Sequence, residues 1–294
     1  MNITVLGMGQ MGRAVGGRLL EGGHDLRIWN RTPGRATTLV DQGAIEQSSV
    51  AQAVDGAEVI VTSLTDDAAV RSVLAPDGGS LDLAPGAAVV ECSTVSTSTA
   101  RDLSTRYSGR FIAAPIMGSP AAVASGSASL AVGGPGPLVD HLAPVWDAIT
   151  PTVLRCGDDP GLALVVKLVH NSLLLSGLAV LAEAVAAAQS SGLDDELVRT
   201  MLRSSPLVPT GLHNRLDAVV NRDHAGWFPT PLGAKDLGLF RDLASSVGLD
   251  VPIATAAESR YRAAAEHGLA DADIAAIVDL YPLKRPETGH QAQH

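Results

Sequence analysis

Lys167 and Asn171 are among the few polar residues in a largely apolar stretch that covers residues 161–188. They are four positions apart, so in a helix they lie on one face, one turn from each other. A lysine with apolar neighbours can supply a proton and stabilise negative charge, because its ammonium is compact and its pKa responds to burial. We therefore predict that Lys167 and Asn171 are catalytic residues.

Lysine is rare in this chain. Of 21 basic residues, 18 are arginine, and the lysines are Lys167, Lys235 and Lys284. On a solvated surface either cation would serve, whereas a buried proton donor requires an ammonium. The usual alternative interpretation of a lysine within a helix is non-catalytic: its aliphatic stem is buried and its ammonium reaches water. The rarity of lysine favours a catalytic Lys167, and Lys284 belongs to a polar tail.

A glycine-rich segment near the N-terminus could bind a phosphate-containing ligand. Gly7, Gly9 and Gly12 follow a β-branched run and open a helical stretch. In a dinucleotide-binding motif the first glycine permits a tight turn, the second lets the backbone approach a pyrophosphate, and the third allows close packing of helix on strand. A purely structural glycine loop is the alternative. The predicted cofactor loop consists of Gly7, Met8, Gly9, Gln10, Met11 and Gly12.

The end of the second predicted strand indicates which nicotinamide cofactor is used. NAD sites place Asp or Glu there to bind the ribose 2′-hydroxyl. This chain has Asn30, Arg31 and Thr32. Asn30 carries no charge to repel a 2′-phosphate, and the other two side chains could bind one through charge-assisted hydrogen bonds. We predict NADP(H), the alternative being that Arg31 is an ordinary solvated residue.

The elements that must position these residues follow from length and periodicity. A chain of 294 residues exceeds the usual size of a single core, so two domains are expected. β-branched runs alternate with helical stretches up to about residue 155, which is typical of a doubly wound parallel sheet. The predicted strands are 3–6, 26–29, 58–62, 88–91, 110–113, 129–132 and 152–154. The intervening predicted helices are 10–21, 34–42, 66–74, 97–107 and 137–149.

After Cys156 the patterns are helical. A long helix is predicted over 160–191, with Gly192 at its C-terminal end, and Asp194 or Asp195 can cap the next helix. Further helices are predicted over 212–220, 231–247, 252–266 and 272–281. We predict an α/β protein with an N-terminal Rossmann domain (1–158) and an all-helical C-terminal domain (159–294), joined by the long helix, with a flexible tail over 283–294.

Composition excludes several classes of function. A net charge of −10 argues against general nucleic-acid binding, which requires clustered Lys and Arg. Cys92 and Cys156 suggest neither a disulfide framework nor a metal site. The chain opens directly on a predicted strand instead of an export signal, and no uncharged run reaches the roughly 18 residues of a membrane span. We expect a cytoplasmic protein that binds neither membrane nor metal.

The order of these motifs resembles that of the β-hydroxyacid dehydrogenase family, which is related to 6-phosphogluconate dehydrogenase, over residues 1 to about 281. The matching residues are Gly7, Gly9, Met11 and Gly12; Glu91, Ser93 and Thr94; Ala114, Pro115 and Gly118; Gly161, Lys167 and Asn171; and Lys235, Asp236 and Leu237. The resemblance implies that Lys167 exchanges a proton with the substrate oxygen and that Asn171 helps to hold substrate. It also implies that Ser93 and Gly118 contact a substrate carboxylate and that Lys235 lies beside the cofactor.

On this basis the set of predicted site residues is extended. The predicted substrate-binding residues are Ser93, Thr94, Met117, Gly118 and Ser119, and Leu64 and Lys235 join the predicted cofactor-binding residues. The resemblance also implies a homodimer or a higher homo-oligomer. The remaining expected partner is a small-molecule carbonyl or imine substrate.

The chain departs from the family pattern at one predicted substrate-binding segment. The family usually has Val-Ser-Gly-Gly where this chain has Ile116, Met117, Gly118 and Ser119, so a thioether replaces a hydroxyl. Small hydroxy acids are therefore less favoured as substrates. This segment and the end of the second strand are similar to those of imine reductases, which share the architecture but generally carry Asp or Tyr at the position of Lys167.

The sequence therefore predicts an NADPH-dependent oxidoreductase that transfers hydride to a small aldehyde or keto acid such as glyoxylate or succinic semialdehyde. The alternative enzyme is an NADPH-dependent imine reductase. An alternative of another class is a non-catalytic NADPH-binding sensor or scaffold, whose simplest signature would be loss of the proton donor. Because Lys167 is present, the enzyme is favoured.

Overall fold

The computed structural model describes residues 1–283, which divide into two compact units. The first unit is Met1–Val169, and the second begins at His170. The predicted domain boundary between residues 158 and 159 lies just before a long helix, and the boundary between the compact units lies within that helix. Apart from its first residue, the predicted tail 283–294 lies outside the described residues, as does Lys284.

A six-stranded parallel sheet forms the centre of the first unit, with strand order β3-β2-β1-β4-β5-β6. The strands are β1 Asn2–Leu6, β2 Asp25–Trp29, β3 Ile45–Glu46, β4 Val59–Thr62, β5 Ala88–Glu91 and β6 Phe111–Ala113. In the register Val5 lies opposite Ile28 and Val61, all fully buried, as expected where helices cover both faces. The predicted doubly wound sheet is confirmed. Its strand order reverses between β1 and β4, the position where such sheets bind ligands.

Two predicted strands do not belong to this sheet. The segments 129–132 and 152–154 form a separate three-stranded sheet with a strand that was not predicted. Its strands are β7 Ile116–Met117, β8 Ser129–Val132 and β9 Thr152–Arg155. Strand β8 is antiparallel to β7 and parallel to β9. β-branched composition indicated the strands correctly but carries no information about which sheet a strand joins.

Eight α-helices surround these sheets in the first unit, before the long helix. They are α1 Gln10–Glu21, α2 Thr37–Asp41, α3 Val50–Val54, α4 Asp67–Leu74, α5 Thr97–Arg106, α6 Pro120–Ala124, α7 Gly136–His141 and α8 Ala143–Ile149. The single helix predicted over 137–149 is wrong, because Pro144 lies in the first turn of a second helix, where its missing N–H is tolerated. The helix predicted over 34–42 begins only at Thr37, since Gly34 has a φ of +74°.

The long helix α9 Pro160–Ser190 has 31 residues and continues from the first unit into the second. By length and composition it could cross a membrane, with a mean hydropathy of 1.8 over its most apolar 18-residue window, but core helices pass the same test. Its residues Ala163, Leu164 and Leu168 are buried in the first unit, and Leu175 and Leu178 belong to the core of the second. The predicted joining helix is confirmed.

The second unit is helical, as predicted. After α9 come α10 Asp195–Ser204, α11 Thr210–Asn221, α12 Thr230–Ser246 and α13 Pro252–Ala264. Asp194 caps α10 by accepting hydrogen bonds from the backbone N–H groups of Glu196 and Leu197. The segment predicted as a helix over 272–281 forms the tighter 3-10 helix Ile274–Leu280.

Exposed apolar side chains of the second unit, among them Leu173 and Leu207, border a groove of about 710 Å³. Exposed apolar surfaces of this kind often mark protein interfaces. This groove is compatible with the predicted homodimer, which stays a prediction.

A buried ion pair organises the second unit. The Arg215 Nε donates to the Asp273 carboxylate at 2.8 Å, and the guanidinium lies 4.9 Å from the ring centre of Trp227. The same carboxylate accepts hydrogen bonds from the backbone N–H groups of Trp227, Phe228 and Ala275. One carboxylate therefore connects α11, the segment before α12 and the 3-10 helix.

Arg215→Ala should destabilise the protein by about 3–5 kcal/mol, because it leaves a buried carboxylate without its cation. The control is Arg203→Ala, which removes a partner from the exposed pair with Asp217 and should cost less than about 1 kcal/mol. Urea unfolding followed by circular dichroism measures both values. Equal small losses in the two variants would show that the Asp273 carboxylate is not a stabilising centre.

Candidate active site

Lys167 is buried in the first unit, with 8% of its surface exposed. Its Nζ donates a hydrogen bond of 2.6 Å to the backbone carbonyl oxygen of Ile116 in β7. The next two residues along β7 and its turn are Met117 and Gly118, both predicted to bind substrate. The structure therefore brings the predicted proton donor to the predicted substrate-binding segment, and its ammonium does not extend into solvent.

Asn171 lies one turn further along α9, and its hydrogen-bond partner belongs, like Asn171, to the second unit. Its Nδ2 donates to Asp236 Oδ2 at 2.6 Å, and the other carboxylate oxygen lies 3.0 Å from Lys235 Nζ. Asp236 is buried, with 4% exposed, on α12. We did not predict a role for Asp236, although its i+3 spacing from the buried Gly233 places a carboxylate on the apolar face of α12. It fixes the Asn171 amide and pairs with Lys235.

The three motif glycines have different structural roles. Gly7 has a φ of +104°, and a Cβ there would lie 2.2 Å from the Ser63 carbonyl oxygen. A Cβ on Gly12 would lie 1.9 Å from the carbonyl oxygen of Gly7. A Cβ on Gly9 would meet no described atom within 4 Å, and Gly9 is the residue that precedes α1. Gly7 and Gly12 are thus required by packing, and Gly9 leaves space at a helix N-terminus where a phosphate can approach.

Two side chains hold the peptide groups of Met8 in this loop. Its N–H donates to Asn30 Oδ1 at 2.9 Å, and its carbonyl accepts from Arg13 Nη1 at 3.0 Å. Asn30 Nδ2 also donates to the Thr32 carbonyl, and Arg13 Nη1 to the Arg35 carbonyl. Asn30 therefore connects the glycine loop to the segment predicted to bind a 2′-phosphate. Arg13 has the same connecting role and was missed, because nothing in the spacing of the motif requires an arginine there.

The other predicted cofactor residues differ in how far their side chains are exposed. Gln10, Arg31 and Thr32 are exposed, and Met11 and Leu64 are half-buried. An exposed Arg31 and Thr32 at the end of β2 remain accessible to a phosphate. Their assignment to the cofactor, like that of Lys235, stays a prediction.

Ser93, predicted to contact substrate, is 4% exposed and is engaged within the protein. Its Oγ accepts from Leu64 N–H at 2.7 Å, and its N–H donates to Glu91 Oε1 at 2.5 Å. Thr62 Oγ1 donates to the other oxygen of Glu91 at 2.6 Å. Burial raises the pKa of Glu91 to about 7, against the opposing effect of these hydrogen bonds. Thr94 is half-buried beside this network.

The remaining predicted substrate residues form the turn after β7. Gly118 has a φ of +149°, which favours glycine. Ser119 caps α6, its Oγ accepting from Ala122 N–H at 3.0 Å. Met117 is half-buried and packs against an apolar cluster of the first unit. The one hydroxyl of this segment therefore caps a helix, and Met117 contributes a thioether in place of a second hydroxyl.

Comparison with known proteins places these features in a family. Residues 2–157 match the NAD-binding domain of 6-phosphogluconate dehydrogenase, and residues 161–281 match the NAD-binding domain of NADP-dependent 3-hydroxyisobutyrate dehydrogenase. The chain belongs to the β-hydroxyacid dehydrogenase family. It is accordingly an NAD(P)-dependent oxidoreductase, and the fold and the family expected from the motifs are confirmed.

Named relatives cover almost the whole chain. The NAD-dependent L-serine dehydrogenase of Pseudomonas aeruginosa is 30% identical over 95% of this chain and 97% of its own. Glyoxylate/succinic semialdehyde reductase 1 of Arabidopsis thaliana is 26% identical over 97% of this chain and 100% of its own.

Solved structures share the fold. A 3-hydroxyisobutyrate dehydrogenase of Salmonella typhimurium superimposes with a TM-score of 0.87 at 24% identity, over 96% of this chain and 100% of its own. An imine reductase from Pseudomonas sp. superimposes with a TM-score of 0.64 at 22% identity, over 95% of this chain and 98% of its own.

Substitution by alanine should separate the roles of Gly9 and Gly12. Gly9→Ala should fold normally, since its φ of −67° suits any residue and its Cβ meets nothing, but it should raise the Kd for the dinucleotide at least about tenfold. Gly12→Ala should lower stability by about 1–3 kcal/mol through overpacking. Thermal melting and NADPH fluorescence titration measure these effects. Unchanged affinity in Gly9→Ala would show that phosphate does not approach there.

Proposed function

We propose that this protein is an NADPH-dependent reductase of a small aldehyde or keto acid. The observation that carries the proposal is the buried Lys167 ammonium, which donates to the Ile116 carbonyl directly before the predicted substrate-binding turn. An ammonium in that position is suited to protonating a carbonyl oxygen as hydride arrives at the adjacent carbon. A sensor or scaffold has no need of a buried proton donor there.

The chain's own residues account for the steps around hydride transfer, and the bound nicotinamide supplies the hydride. Lys167 would donate its proton to the developing alkoxide and stabilise the negative charge. The Ile116 carbonyl orients the ammonium. The Asn171 amide, held by Asp236, would orient the substrate.

The preference for NADPH is supported by the segment after β2. It presents an exposed Arg31 and Thr32 and no carboxylate, and Asn30 directs its Oδ1 towards the Met8 N–H. A 2′-phosphate would therefore meet a cation and a hydroxyl without an opposing charge.

We expect NADPH to be preferred over NADH by at least about tenfold, or about 1.4 kcal/mol. Asn30→Asp should shift this preference towards NADH. The new carboxylate can still accept from Met8 N–H, although it loses the hydrogen bond that Asn30 donates to the Thr32 carbonyl, and it repels a phosphate. Asn221→Asp, an exposed change in the second unit, controls for added charge. Equal kcat/KM values of the wild type for the two cofactors would contradict the assignment of Arg31 and Thr32.

Met117 bears on the choice of substrate, because it places a flexible apolar side chain where the family usually has a serine. We expect weak activity on glyoxylate and better activity on larger, less polar carbonyl compounds. The experiment is a panel of aldehydes, keto acids and cyclic imines assayed for NADPH oxidation. Activity confined to cyclic imines would favour the imine reductase, whose fold this chain shares, and no oxidation with any compound would favour the sensor or scaffold.

Removal of the Lys167 ammonium should act mainly on turnover. A positioned acid contributes a factor of about 10² to 10⁴, so Lys167→Ala should lose at least about a hundredfold in kcat. NADPH binding should persist, because the glycine loop is formed by other segments. Lys167→Arg should also be slow, since a planar guanidinium does not fit a site built for a point charge.

Both Lys167 variants are measured at saturating NADPH with the best substrate of the panel, and circular dichroism verifies their folding. Near-normal turnover of Lys167→Ala would remove Lys167 from the mechanism and would favour the imine reductase.

A further inference from the structure

Glu91 is a completely buried carboxyl group at the end of β5. Its two oxygens accept hydrogen bonds from Ser93 N–H and from the Thr62 hydroxyl, and the Ser93 hydroxyl is a further donor that lowers its pKa. Burying a carboxylate is costly even when it is hydrogen-bonded, and an apolar residue would suit the sheet better. The cost of burying Glu91 among Ser93 and Thr62 suggests that this carboxyl group has a role in binding or catalysis.

Burial of Glu91 favours its neutral form, against the three hydrogen bonds that favour the carboxylate. Burial raises its pKa to about 7, and the negative charge of Asp67 at the start of α4 acts in the same direction. The adjacent Cys92 stays a neutral thiol, because burial and the Glu91 charge raise its pKa. Within residues 1–283, the groups that shift the Glu91 pKa include no cation. A small additional negative potential would thus be sufficient to protonate Glu91 at neutral pH.

A short series of contacts connects this carboxyl to the dinucleotide loop. The Ser93 hydroxyl, which donates to Glu91, accepts from Leu64 N–H at 2.7 Å. The preceding carbonyl, that of Ser63, packs so closely on Gly7 that a Cβ there would lie 2.2 Å away. The ends of β4 and β5, which these residues follow, lie at the carboxyl edge of the sheet, where the family binds its dinucleotide.

We propose that Glu91 is a positioning residue that takes up one proton from solvent when the anionic dinucleotide binds. The phosphates of the dinucleotide bring negative charge to this edge of the sheet, which disfavours the carboxylate. The neutral carboxyl then donates its own O–H to Thr62 or Ser93. The Thr62 hydroxyl can turn to the Val90 carbonyl, 3.5 Å away. Where the carboxyl donates to the Ser93 oxygen, the Ser93 hydroxyl no longer donates to Glu91 and becomes a donor to bound ligand.

The sign of the pH dependence follows from linkage. If the complex holds a proton that the free protein has lost, binding weakens as pH rises above the pKa of the free protein. With a pKa of about 7, the titration of Glu91 should by itself make the Kd for NADPH about tenfold higher at pH 8 than at pH 6. The inference rests on the dinucleotide binding of the family and is independent of the substrate proposed above.

The test is the pH dependence of NADPH affinity in wild type and in Glu91→Gln. Gln can accept from Ser93 N–H and donate to Thr62, so it mimics the neutral carboxyl. The 2′-phosphate of NADPH also titrates, at about pH 6, so the readout is the difference between the two proteins. We expect the ratio of the Kd at pH 8 to the Kd at pH 6 to be about tenfold smaller in Glu91→Gln than in wild type. Calorimetry in two buffers should detect a smaller proton uptake in the variant. The control is Glu58→Gln, an exposed change at the opposite end of β4, which should keep the wild-type dependence.

Ser93→Ala keeps the test decisive if Glu91→Gln does not fold. It removes a hydrogen bond that lowers the Glu91 pKa, so the midpoint of the pH dependence should move to higher pH. A pH dependence of the Kd that is the same in Glu91→Gln as in wild type, or an unmoved midpoint in Ser93→Ala, would each overturn the proposal. None of these results depends on finding a substrate.

Discussion

The cost of burying a charged group shapes both units of this protein. An unpaired charge in the interior costs several kcal/mol, so each buried charge must be met by a donor, an acceptor or a counter-ion. Lys167 is met by a strand carbonyl, Asp236 by an amide and an ammonium, and Asp273 by Arg215 and three backbone N–H groups. Ile116 directly precedes Met117, and Asp236 bonds to Asn171 and Lys235, so satisfying the first two charges also fixes residues predicted to touch substrate and cofactor.

The helix α9 places the two predicted catalytic side chains in different surroundings. Lys167 bonds to a residue of the first unit, and Asn171, one turn later, bonds to a residue of the second. Helical geometry fixes the spacing of their backbone positions, whereas separate packing environments fix the orientation of their side chains. A substitution near one of them can therefore change its orientation while leaving the other in place.

Local signals explain what the sequence could predict. The glycine loop, Lys167 and the long helix depend on spacing and on neighbours within a few residues, and the structure has each element where it was expected. The roles of Arg13 and Asp236 depend on hydrogen bonds to segments whose positions only the folded chain defines. The same holds for β7, whose two residues are too few for a periodic pattern, and for Ser119, whose hydroxyl could have faced either substrate or backbone.

The placement of the three tryptophans gives the protein a built-in set of optical reporters. Trp29 ends β2, where its carbonyl accepts from Gly7 N–H, and Trp146 is buried in the core of the first unit. Trp227 stacks on Phe228 and under Arg215 in the second unit. Emission from Trp29 should respond to a reduced nicotinamide through energy transfer, whereas emission from Trp227 should follow the opening of the helical unit. Variants that keep a single tryptophan would therefore report ligand occupancy and partial unfolding separately, without an added label.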